Sequence, residues 1–157
     1  MGSKHFDYYI FIDYSEIFLG YLIIKKETIK EFIPKISKFS HYRELKHKEA
    51  YIHSIKKIIE KNNVLSYPVK TKIRKTIDTP EIYADILDFL KTHSNCLIFI
   101  SVDNNQYHNF ERLVKIIDGE STKVVRESEL RKDTFEHRIS LVLDTLLNIE
   151  RLKYKRI

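Results

Sequence analysis

An α/β fold, a mixed sheet opened by a β-hairpin or meander and flanked by helices, is predicted by three observations. The 157 residues are 43% hydrophobic and 32% charged, which is enough to bury a core and too apolar for a disordered tail. Two apolar runs near the start are separated by too few residues for a crossover helix, so they pair antiparallel. After Ser40 the apolar period lengthens to that of a helix, and strand and helix patterns then alternate.

Each element follows from its own pattern. Asp7–Asp13 (DYYIFID) reads as a strand buried on both faces, and Ile17–Ile24 (IFLGYLII) returns beside it. Thr28–Ile33 reads as a third hairpin strand ended by Pro34. Leu45, Ile52, Ile55 and Ile59 recur at helical spacing and predict a helix over Arg43–Lys61, although Lys48 falls within its apolar stripe. Val64–Lys70 contains Pro68, which lacks a ladder donor, and reads as an edge strand. Thr79-Pro80-Glu81 opens a helix that buries Ile82, Ile86, Phe89 and Leu90. Cys96–Val102 is a second strongly apolar strand. Tyr107–Ile117 reads as a helix stopped by Asp118-Gly119, and Thr122–Arg126 as a short strand. Asp133 or Thr134 caps a last helix running to about Leu152.

The sequence reads as one domain over 1–157, with Met1-Gly2-Ser3 a leftover of cloning and 153–157 a basic tail. Its apolar runs are too short to cross a bilayer, and no charged-then-apolar leader opens it, so a cytoplasmic protein is expected. The single cysteine, Cys96, excludes a disulfide framework and reads as a core residue. Lys and Arg total 28 against 22 Asp and Glu, a net charge of +6 that suits a phosphate-bearing partner. Lys70, Lys72, Arg74 and Lys75 form one basic cluster, and Arg151, Lys153, Lys155 and Arg156 another. Both also suit a solvated edge that discourages aggregation.

Two strands run straight into an aspartate: IFID ends at Asp13 and IFISVD at Asp103. If these strands are parallel neighbours, both carboxylates emerge at one carboxyl edge, where α/β sheets bind ligands. Like charges brought that close require a cation or a proton between them. The plainer alternative is that each Asp only ends its strand. Three scattered glycines (Gly2, Gly20, Gly119) cannot form a phosphate loop. Ser15 stands where a haloacid-type phosphatase needs a second Asp. A hairpin after the first strand excludes a receiver domain. His41, His47 and His53 repeat every six residues, which does not put ligands on one helix face.

The order of segments resembles the ribonuclease H-like fold and, more narrowly, the DUF3800 family of predicted nucleases. That family ends its first strand in Asp-Glu-Ser-Gly, where this chain has Asp13-Tyr14-Ser15-Glu16. Glu44-Leu45-Lys46 is similar to its helix-opening Glu-Leu-Lys, and Val102-Asp103 to its later strand end. Leu143-Asp144-Thr145-Leu146-Leu147 is similar to its Ala-Asp-Leu-Leu segment. Glu16, Leu143 and Leu141 depart from the family's glycine, alanine and upstream glutamine. The resemblance implies a divalent-metal-dependent nuclease acting on RNA or DNA. Asp13, Glu44, Asp103 and Asp144 would be catalytic and would hold Mg²⁺ or Mn²⁺, with Lys46 neutralising phosphate. A non-catalytic nucleic-acid-binding or assembly protein on the same fold is the alternative. On periodicity alone Asp144 lies opposite the apolar side of its helix, with Ser140 and Asn148, and reads as solvated; the motif reads it as a ligand. His137, near that side, is either a proton carrier or a surface residue.

Overall fold

The structure, a computed structural model, describes residues 6–101, 104–118 and 122–155. Strands β1 (Tyr8–Ser15) and β2 (Phe18–Lys25) form the expected antiparallel hairpin. Its turn holds Glu16 at φ 54°, in the left-handed region that a non-glycine residue rarely adopts. The Glu16 carboxylate is held from outside the turn, 3.5 Å from Arg151 and 3.3 Å from Lys155.

The expected third hairpin strand at Thr28–Ile33 is instead helix α1 (Lys26–Phe32), continued by a 3₁₀ turn, Ile33–Ile36, around Pro34. Ile29 and Phe32, three residues apart, are both buried, a spacing that a helix satisfies and a strand would split between two faces. The next helix also begins later than the sequence indicates. Tyr42–Glu44 is a separate 3₁₀ turn, Leu45 is extended, and helix α2 covers Lys48–Lys61. The regular helix therefore starts where Lys48 would otherwise have entered the apolar stripe.

The edge strand is displaced too. Val64–Ser66 is a 3₁₀ turn, and strand β3 covers Lys70–Lys75. With Pro68 just ahead of it, β3 begins only where every residue can donate to a ladder. Helix α3 (Thr79–Thr92) starts after Asp78 with Pro80 in its first turn, and buries Ile82, Ile86 and Leu90. Strand β4 (Cys96–Ile100), helix α4 (Asn104–Asp118), strand β5 (Lys123–Arg126) and helix α5 (Phe135–Lys155) complete the chain. Thr134 caps α5 as expected, its Oγ1 accepting the His137 N–H at 3.2 Å.

The five strands lie in the order β3-β2-β1-β4-β5. β2 is antiparallel to β1 and β3, whereas β4 is parallel to β1 and β5 parallel to β4. Side chains alternate across this sheet. Ile10, Ile12, Ile98 and Ile100 pack with residues of α3 and α4 on one face. Tyr9, Phe11, Leu22 and Phe99 pack with α1, α2 and α5 on the other. The chain thus has the mixed α/β sheet with helices on both faces that its sequence predicts.

One close approach is specific. A Cβ on Gly20 would lie 2.7 Å from the Lys72 carbonyl oxygen and 2.9 Å from Ile73 Cγ1. Backbone cannot yield as a flexible side chain can. Gly20→Ala is expected to destabilise the protein by about 1–3 kcal/mol, the usual cost of overpacking. An unchanged urea midpoint would show that β3 moves aside freely.

Candidate functional site

The register of three strands builds the site. Ile12 pairs with Ile100, and Ile100 with Arg126. One residue further on, the same row reads Asp13, Ser101 and Glu127, and the Ser101 N–H donates to the Ile12 carbonyl at 3.0 Å. Side chains alternate with period two, so Asp13 shares the face of Tyr9 and Phe11, Ser101 that of Phe99, and Glu127 that of Val125. All three therefore emerge at the carboxyl edge on the face covered by α5.

Helix α5 brings Asp144 to the same place. Its face of Ser140, Asn148 and Asp144, solvated on periodicity alone, is covered: Ser140 and Asn148 are buried and Asp144 is half-buried. Asp144 Oδ2 accepts the Tyr42 N–H at 3.0 Å, which anchors the 3₁₀ turn to the helix. Asn148 donates to the Asp144 carbonyl at 2.8 Å and accepts from Arg151 at 2.9 Å and from Ser15 at 3.4 Å. Arg151 is fixed further by Glu16 and by the Tyr42 ring, 5.5 Å away. A chain of contacts thus runs from the hairpin turn to Asp144.

Burial and like charge dominate the electrostatics. Burial pushes the Asp13 carboxyl well above the ordinary carboxylate range, and the nearby Glu127 and Asp144 push the same way. The Tyr14 N–H, donating to Asp13 Oδ1 at 2.8 Å, and the Ser101 hydroxyl oppose the shift without cancelling it. Glu127 is raised as well, first by burial and then by Asp144, against hydrogen bonds to Ser101 and Asp13 and the pull of His41. Like charges this close favour a proton on one of the two carboxyls when no cation lies between them. His137 is pushed down by burial and by the neighbouring His41 and Lys132, which favours its neutral form.

These shifts set a pH dependence. The unfolded chain releases both carboxyl protons near the ordinary values of 3.8 and 4.5, whereas the folded pair retains them to higher pH. Unfolding then releases protons, so the pair's contribution is present at low pH and is lost as pH rises through the raised values. His137, depressed below 6.5, works in the opposite sense. The expectation is that Asp13→Asn/Glu127→Gln gains stability over wild type as pH rises from 5 to 8, read by thermal unfolding in a chelator. A gap that stays constant with pH would refute it.

The carboxyls sit in a cleft of about 640 Å³, also lined by His41, Tyr42, His137 and Asn148 and rimmed by Arg43, Lys48, Lys132 and Arg151. Among the described residues, none of Asp13, Glu127 and Asp144 forms an ion pair with this rim. Nor, among the described residues, is any group of three His, Cys, Asp or Glu side chains close enough together to hold a metal ion. The donor set is two carboxyls and a hydroxyl in a row, with a third carboxyl opposite. All are hard oxygen donors. That composition fits Mg²⁺ or Mn²⁺, since magnesium is held through one or two carboxylates and otherwise keeps water or phosphate.

The sequence-selected residues fall in different places. Asp13 and Asp144 share the cleft. Glu44 lines its rim from the Tyr42–Glu44 turn, with a side chain 65% exposed and 4.0 Å from Lys132. Asp103 lies outside the described residues. Lys46 is exposed and does not line the cleft. Lys70, Lys72, Arg74 and Lys75 belong to β3 and do not line it either. Lys72 is 2.8 Å from Asp85 and Arg74 3.1 Å from Glu81, both on α3, and Lys75 lies over the Tyr154 ring. Glu127 was not among the sequence candidates, yet it follows Val124-Val125-Arg126 as Asp13 follows the apolar run Ile10-Phe11-Ile12, and the same rule would have found it.

Among solved structures, the chain is similar to ribonuclease H2 from Pyrococcus horikoshii OT3. The TM-score is 0.51 and the identity 13%, over 95% of this chain and 77% of that one. It is also similar to ribonuclease HII of Archaeoglobus fulgidus, solved as a complex with PCNA, at TM-score 0.45 and 11% identity over 96% of this chain and 78% of that one. The first likeness is one of fold: the chain has a ribonuclease H-like fold. No family model matches the chain, so the likeness to DUF3800 rests on its short motifs alone. No curated protein matches it either.

Proposed function

We propose that this ribonuclease H-like chain is a divalent-metal-dependent nuclease that hydrolyses phosphodiester bonds of RNA or DNA. The observation that carries the reading is the cleft itself: Asp13, Glu127 and Asp144 gathered at the carboxyl edge, inside a rim of Arg43, Lys48, Lys132 and Arg151. An acidic centre within a basic rim suits a substrate whose charge is neutralised at the reacting phosphate and attracted on either side of it. The fold of the ribonuclease H2 neighbour supports the same class.

Asp13 and Glu127 would hold Mg²⁺ or Mn²⁺, with Asp144 facing them; Asp103, outside the described residues, is kept as a further ligand on the motif similarity alone. Bound there, the ion would neutralise phosphate charge and activate water for attack on phosphorus. The chain's own residues do the positioning. Tyr42 and Asn148 fix Asp144, and Ser101 spaces Asp13 from Glu127. Arg151, only 13% exposed and held by Glu16 and Asn148, presents a preset guanidinium to a neighbouring phosphate. Glu44 is retained at the rim, and Lys46, exposed and outside the cleft lining, as a phosphate contact beyond it. Neutral His137 is placed to accept a proton near the carboxyls.

The test is cleavage of mixed single- and double-stranded RNA and DNA with Mn²⁺ or Mg²⁺, comparing wild type, wild type in chelator, and Asp144→Asn. Metal-dependent cleavage lost in the variant is the expected result. Equal cleavage by both proteins would sink the assignment. Salt-dependent binding with no cleavage at all would favour a non-catalytic nucleic-acid-binding module on this fold.

A further inference from the structure

Strand β3 ends the sheet and pairs only with β2, so its outer side lacks a strand partner among the described residues. The Thr76 N–H donates to Ile17 O, which sets the phase of the ladder: Lys72 and Arg74 turn their backbone groups inward, Thr71 and Ile73 outward. Beside this edge runs a groove of about 860 Å³, walled by residues of α2 and α5. Its floor is apolar, built from Ile59, Leu146 and Ile149, and Leu65 and Val69 stand at its mouth 53% and 51% exposed. Five cationic side chains line it against one acid, Glu150. Lys72 and Arg74 are paired with Asp85 and Glu81, and Lys70 and Lys153 lie 3.8 Å from Asp85 and 3.4 Å from Glu150. Lys56 has no ion pair among the described residues, and the side chains of Lys70 and Lys153 are 55% and 61% exposed, so these three are the cations an occupant would meet.

We propose that this groove receives an extended acidic peptide segment of a partner protein, which adds to β3 as a sixth strand. The open backbone edge supplies main-chain pairing, and alternate side chains of an added strand would point into the apolar floor. Charge selects the acidic partner. A second copy of this chain would bring the same basic strand against itself. A nucleic-acid strand leaves the apolar floor uncovered and finds no aromatic ring in the groove on which to stack a base. The inference is independent of whether the cleft cleaves anything.

The probe is a fluorescein-labelled peptide of eight residues alternating Glu with Leu and Val, against a control with Lys for Glu. Micromolar binding of the acidic peptide is expected by anisotropy, with none of the control. Lys56→Glu/Lys153→Glu should weaken it about tenfold or more. Leu65→Ser should also weaken it, and its exposed position leaves folding intact. Hydrogen exchange at the Thr71 and Ile73 amides should slow on binding. No binding, or binding indifferent to both variants, would overturn the proposal. So would an oligothymidylate that binds in place of the peptide and responds to the same variants.

Discussion

Asp13→Asn is expected to abolish metal-dependent cleavage and, in the same protein, to raise the stability of the metal-free form. The two effects have one cause. Asp13 is 9% exposed and shares its pocket with two further carboxyls, so its ionised form is costly until a cation neutralises it. Asparagine keeps the acceptor for the Tyr14 N–H and removes one of the clustered negative charges. A higher melting temperature than wild type is therefore expected near neutral pH in the metal-free protein. Cleavage should fall by roughly 10³-fold or more, because the remaining groups no longer hold the ion. Measured together, unfolding in chelator and turnover in Mn²⁺ separate this from simple misfolding. A variant that is both less stable and fully active would contradict the site.

The second large effect separates two glutamates. Glu127→Gln is expected to reduce cleavage on the order of 10²–10³-fold, since Glu127 stands in the same row as Asp13 and lines the same cleft. Glu44→Gln is expected to change it by less than about fivefold, in line with the small worth of exposed ion pairs. Its only ion pair among the described residues, to Lys132, spans 4.0 Å between exposed side chains. Turnover at saturating Mn²⁺ decides between them. A larger loss for Glu44 would return the motif-derived glutamate to the centre of the site.

That contrast shows what the sequence carries and what it does not. Asp13 is legible because a long apolar run stops at it, and its parallel neighbour is legible for the same reason. Glu127 escapes because its strand is only four residues, KVVR, with charges at both ends. Glu44 was selected through a short motif similarity, and the chain spends those residues on a 3₁₀ turn before the helix begins. Asp144 illustrates a limit of periodicity itself. Helix α5 is buried against the sheet on one side and roofed by the Tyr42–Glu44 turn on another, so its polar face is enclosed rather than wet. Thr28–Ile33 failed because β-branched composition favours a strand locally, whereas the outer edge of β2 is filled by a segment some forty residues later.

The tie between the hairpin turn and the last helix has a consequence for how the chain is made. Lys155 reaches Glu16 across 139 residues, and Asn148 reaches Ser15 across 133. The face of β1 and β2 that bears Phe11, Phe18 and Leu22 gains its α5 cover only when the final segment has been synthesised. Until then a growing chain on the ribosome carries an open apolar surface, and contacts of such long separation form slowly. A premature stop before Phe135 would leave that surface permanently bare and deny the cleft its Asp144. Such a fragment is a substrate for chaperones and proteases rather than a weakened version of the whole.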